Sequence, residues 1–181
     1  MSTPDPQVIK LNNVRLSYPQ LFTARAMEEG KTPVYSASLI MDKKQHAALI
    51  AQIEKLTERT ALEEFKRKVP LKRVPLHDGN DKADKDGYGD EVMYLNATNT
   101  KRPVVVDGDL TPLTAQDSKP YGGCYVNATV RIFAYDHPKG GKGVSAQLRG
   151  IQFVKDGPSF GAAPVNAEEE FEAVSDDVTK Y

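Results

Sequence analysis

Tyr121-Gly-Gly-Cys-Tyr-Val-Asn-Ala-Thr-Val-Arg-Ile-Phe-Ala-Tyr135 decides how this chain is read. A strand sends successive side chains to opposite faces. One face is then Val126, Ala128, Val130, Ile132 and Ala134, uniformly apolar and fit only for a core. The other is Tyr125, Asn127, Thr129, Arg131, Phe133 and Tyr135. Burying Asn, Thr and Arg without partners is costly, so this second face is expected to be open. It nevertheless keeps three aromatic rings that a merely solvated surface does not need.

Downstream, Gly143 to Val154 alternates again, with Val144, Ala146 and Leu148 against Ser145, Gln147 and Arg149. Its phase slips at Gly150, as at a bulge or a tight barrel corner. His137-Pro-Lys-Gly-Gly-Lys142 joins the two runs, which makes them a hairpin with a basic tip, Lys139 and Lys142. Upstream, residues 8–18 alternate with a slip at Asn12-Asn13, the mark of a bulge. Residues 34–41 form another strand. Asp42 reads as the N-cap of a helix from Lys43 to about Lys66, with Ala47, Leu49, Ile50, Ile53, Leu56, Leu62 and Phe65 at three- and four-residue steps. Residues 69–90 lose all periodicity and read as a solvated loop. Strands resume near 91–98 and 103–107. Five or six strands, one long helix and no alternation of strand with helix predict an α+β, mainly β domain: a small barrel or strongly curled antiparallel sheet.

The chain has 181 residues, a size at which folding buries roughly 70% of the unfolded surface, enough for one core. A single Cys excludes an internal disulfide, and three scattered His leave no zinc cluster. No apolar run approaches a membrane span and no basic-then-apolar leader opens the chain, so a cytoplasmic protein is expected. The net charge of −1 conceals a division. Between Asn166 and Tyr181 stand six acids and one base, while the rest carries 23 bases and 19 acids. Residues 1–156 are therefore read as a mildly basic domain, the Gly- and Pro-rich 157–166 as a flexible linker, and 167–181 as a disordered acidic tail.

Aromatic rings interleaved with cations on an open sheet suit unpaired bases, which stack on the rings while Lys and Arg follow the phosphates. Tyr125, Phe133 and Tyr135 are the expected stacking residues, Arg131 and Arg149 the phosphate partners, and Lys139 and Lys142 guards at one end. Tyr18, Tyr35 and Tyr94, which also suit a core edge, and Lys101 and Arg102, one of several basic loop clusters, are further nucleic-acid-binding candidates. Catalytic signatures are sparse: the chain lacks Gly-x-Ser-x-Gly, His-Glu-x-x-His and Gly-x-Gly-x-x-Gly, and Cys124 reads as a small packed residue. A calcium loop at Lys82–Met93 fails at its first and twelfth positions. No cofactor or metal is expected. The alternatives are a Mg²⁺-dependent nuclease using the Asp-rich 78–91 loop, or a structural phage protein.

Val8 to Tyr18, Tyr35 to Met41, Tyr121 to Val130 and Gly143 to Gly157 together resemble a family of bacteriophage single-stranded DNA-binding proteins. The resemblance implies an oligonucleotide/oligosaccharide-binding (OB) barrel that binds single-stranded DNA without sequence preference, in replication, recombination or repair. It also likens the tail to those that recruit replication or recombination proteins or compete with DNA. Glu168, Glu169, Glu170, Phe171, Glu172, Asp176, Asp177 and Tyr181 are its candidate contacts. A homo-oligomer is compatible with the sequence, and no membrane partner is implied.

Overall fold

The computed structural model describes residues 5–26 and 28–160 together with Val174. Seven strands share one sheet: β1 (Val8–Arg25), β2 (Val34–Asp42), β3 (Leu76–Asp78), β4 (Val92–Asn99), β5 (Val104–Val106), β6 (Tyr125–His137) and β7 (Gly141–Lys155). Their order is β3-β4-β2-β1-β6-β7-β5, and a parallel pairing of β4 with β7 closes the ring. Five strands, β1, β2, β4, β7 and β6, thus form a closed barrel of OB type, with β3 and β5 added at its seams.

The alternation read along residues 125–135 holds. Val126, Val130 and Ile132 are fully buried inside the barrel with Leu11, Val14, Leu16, Leu39, Met41, Leu95 and Leu148. Each such side chain contributes about 1.5–3 kcal/mol on burial, so the barrel interior dominates the fold's stability. Both expected irregularities are present. The β1–β6 register shifts between Leu11 and Val14, where Asn13 takes a φ of 54° and its N–H donates to Asn127 Oδ1 at 2.9 Å. The β6–β7 register shifts between Thr129 and Val130, opposite Arg149-Gly150. At Gly150 a Cβ would stand 3.3 Å from both Thr129 Oγ1 and the Val104 carbonyl, so the barrel corner leaves little room for a side chain.

Three local expectations are corrected. The helix α1 spans Ala47–Phe65, starting later than Lys43, because the Asp42 carboxylate closes a separate turn by accepting from the Lys44 and Gln45 N–H groups, both at 2.8 Å. Ile53, Leu56, Thr57, Thr60 and Ala61 form its buried face, whereas Leu62 is 54% exposed. The third correction concerns residues 69–90, which are not simply a solvated loop. Leu76–Asp78 pairs with β4, Gly79–Lys82 makes a 3-10 turn, and the segment closes on itself where the Gly89 N–H donates to the Gly79 carbonyl at 3.1 Å. A strand with one wet face alternates in burial. Residues 37–41 of β2 are instead buried without a break, so something also covers the outside of β2 at Ser38 and Ile40.

Candidate nucleic-acid interface

On the outer surface of β6 and β7, Phe133 and Tyr135 are half-buried neighbours with ring centroids 6.3 Å apart. The Tyr135 ring lies across Gly143 of the paired strand, where a Cβ would press into it. Arg131 stands one step along the same face, but it is engaged: Nε donates to Asp5 Oδ2 at 2.9 Å and Nη2 to Gln7 Oε1 at 2.7 Å. The Gln7 backbone N–H and then Arg131 hold the Asp5 carboxyl below its usual range, and Arg149 adds to the same field. Arg131 and Arg149 therefore share a side of the barrel, with Asp5 paired to Arg131. At the hairpin tip Lys139 is exposed, while Lys142 pairs with Asp136 at 3.1 Å and stands 5.5 Å from the Phe65 ring.

Tyr125 lies on the same face but not in the same group. Ten residues of strand put it roughly 33 Å from Tyr135. Its ring has Lys155 Nζ at 4.9 Å and the Arg15 guanidinium at 5.8 Å. Tyr35 falls in the inward phase of β2, half-buried at the strand's start. Lys101 and Arg102 are exposed beyond β4, Arg102 lying 5.6 Å from the Phe22 ring.

A second aromatic group was not assembled from the sequence. Tyr94 points outward from β4 yet is only 4% exposed, because His77 of β3 stacks on it at 5.1 Å and Tyr88 meets it edge-on at 5.1 Å. Tyr18, 53% exposed, continues the row 6.4 Å from Tyr88. Lys82 Nζ stands over all three tyrosines, 5.0 Å from Tyr94, 5.4 Å from Tyr18 and 5.6 Å from Tyr88. Such placement favours a cation over each ring's negative face. Burial lowers the His77 pKa and raises those of Tyr88 and Tyr94. A depression of about 360 Å³ joins the two groups, lined by Arg73, His77, Asn96, Tyr135 and Ser145 among others. The sole sequence signal for Tyr88 was an aromatic residue between two glycines in an otherwise polar stretch.

The start of the expected linker is held in place. Arg15 Nη2 donates to the Pro158 carbonyl at 2.6 Å, its guanidinium covers the Phe160 ring at 4.2 Å, and the Phe160 N–H donates to the Gly122 carbonyl at 3.0 Å. The tail residues Glu168, Glu169, Glu170, Phe171, Glu172, Asp176, Asp177 and Tyr181 lie outside the described residues. Cys124 is fully buried and its thiol is pushed up to about 11 by that burial, as befits a packing residue. Among the described residues no three His, Cys, Asp or Glu side chains are grouped to hold a metal ion, and Asp78 of the acidic loop is paired with Lys43 at 2.9 Å. No described helix is long and apolar enough to cross a membrane.

A closed five-stranded barrel with aromatic side chains and cations on its outer face defines the class of OB-fold phage single-stranded DNA-binding proteins, which are not enzymes. Residues 7–179 match the family described as the single-stranded DNA-binding protein of Enterobacter phage Enc34, and the chain belongs to that family. It is 41% identical over 177 residues to protein p50 of Acyrthosiphon pisum secondary endosymbiont phage 1, covering 92% of this chain and 94% of that one. Among solved structures it is similar to the bacteriophage Enc34 protein in complex with single-stranded DNA: TM-score 0.78, 30% identity, 86% of this chain and 90% of the other. A single-stranded DNA-binding protein encoded by bacteriophage T7, gp2.5, shares the fold at TM-score 0.57 and 16% identity, over 93% of this chain and 98% of that one.

Proposed function

We propose that this protein binds single-stranded DNA without sequence preference, laying the strand over the outer faces of β6, β7 and β4. The observation that carries the proposal is the depression shared by Tyr135 and His77, which makes one band of two aromatic groups. Bases stack on Phe133, Tyr135 and His77, and Arg131, Arg73, Lys82, Lys139 and Arg149 meet phosphates. The outer face of the second and third strands of a five-stranded OB barrel, here β2 and β4, is also where that fold takes oligonucleotides. Membership of the Enc34 family supports the same ligand.

The role is protection and delivery of single strands in phage DNA replication, recombination or repair, in the host cytoplasm. The acidic tail, residues 167–181, recruits phage or host proteins of those processes or competes with DNA for the cationic surface. A gel-shift with matched single-stranded and duplex oligonucleotides, with and without Mg²⁺, tests the binding. Retention of the single strand without cleavage is expected. Equal preference for duplex would overturn the reading, and Mg²⁺-dependent cleavage would favour the nuclease.

A further inference from the structure

The outside of β2 is covered at Ser38 and Ile40, and the Tyr88 side chain reaches Ser38. Ser17 and Ser38, 2% and 6% exposed, bring two hydroxyls to its phenolic oxygen. The Ser38 hydroxyl donates to Asn96 Oδ1, so the floor is a small polar network among apolar neighbours. The Tyr88 oxygen is sealed from solvent against those two hydroxyls. The residue is flanked by Gly87 and Gly89, with φ of 82° and 139°, so its backbone occupies conformations that glycine adopts freely. Phe160 rests directly on Gly87, where any Cβ would collide with its ring, and the Arg15 guanidinium lies against the Phe160 ring.

We infer that the slot over Ser17, Ser38 and Ile40 is a nucleobase site which the free protein fills with its own Tyr88, latched shut by Phe160. The inference rests on the proposed single-strand binding and deepens it. Tyr88 is a flat ring with a polar edge, edge-on to Tyr94 and beneath Lys82, and an unpaired base has the same shape and the same needs. Its edge would meet the Ser17 and Ser38 hydroxyls and the Asn96 side chain. Swinging Tyr88 out takes rotation at its two flanking glycines and release of the Phe160 ring from Gly87, with the barrel unchanged. Entry of a base and release of the 157–160 segment thereby become one event, which couples the site to the chain leading into the tail.

The test is the affinity of the full chain for fluorescein-labelled oligo-dT, read by anisotropy, for wild type, Tyr88→Ala and Phe160→Ala. A site open in a tenth of molecules or fewer binds correspondingly weakly, so Tyr88→Ala is expected to tighten binding about tenfold, with Phe160→Ala following in the same direction. Weaker binding by Tyr88→Ala than by wild type would make Tyr88 a stacking platform and overturn the inference while leaving single-strand binding intact. Absence of binding by wild type would instead overturn the function itself. Should either variant fail to fold, hydrogen exchange on wild type decides. Saturating oligo-dT should deprotect the Tyr88 and Gly89 amides, and unchanged or increased protection there overturns the inference.

Discussion

Arg131 donates from Nε to Asp5 Oδ2 at 2.9 Å, so a central cation of the proposed interface is already paired within the chain. A phosphate must take the place of that carboxylate. Asp5→Ala should therefore tighten single-strand binding a few-fold and steepen the log-log salt slope by about 0.7, the increment for one more neutralised phosphate. Anisotropy titrations across salt concentrations measure both.

For the wild type, four neutralised phosphates give a log-log slope of about −3 on single strands. A slope near zero would remove the cations from the binding account. Duplex of the same length should bind more weakly throughout, because its bases are not free to stack.

Phe133 and Tyr135 form the half-buried stacking pair, 6.3 Å between centroids. Replacing either by Ala should cost about 1–3 kcal/mol of binding, roughly 5- to 150-fold in Kd. Tyr125→Ala should cost less, since its ring is engaged with Arg15 and Lys155 at the other end of β6. Equal losses at all three positions in a Kd series would require a strand running the whole length of β6.

Deleting residues 167–181 should tighten single-strand binding most at low salt, where an acidic segment is least screened. The difference between full-length and truncated chains should shrink as salt rises. Affinity that is unchanged at all salt concentrations would restrict the tail to recruiting proteins.

Burial raises the Cys124 thiol from 9.0 to about 11. The unfolded chain therefore loses its proton first, and the folded state loses stability as pH rises from 9 to about 11. Chemical denaturation across that window should show a fall on the order of 2–3 kcal/mol that Cys124→Ala removes. The native thiol should also resist alkylation until the protein unfolds.

The alternating runs fixed the barrel. Val126 to Ala134 on one phase and Tyr125 to Tyr135 on the other leave a single way to place β6, and the slips at Asn12-Asn13 and Gly150 mark two bulges. Both are short-range consequences of the two-residue period of a strand, and a period is visible in one dimension. The expected length of α1 failed at its start because Asp42 has two uses, helix cap or turn cap, that look alike in sequence. The reach of Tyr88 to Ser38, the pairing of Arg131 with Asp5 and the pinning of Phe160 by Arg15 join residues far apart in the chain, with no periodicity to announce them. Sequence alone thus determined that an aromatic and cationic face exists and which strand carries it. Only the tertiary structure decided which of its rings are covered and which cations are already paired, because those outcomes depend on what loops from distant parts of the chain lay over the barrel.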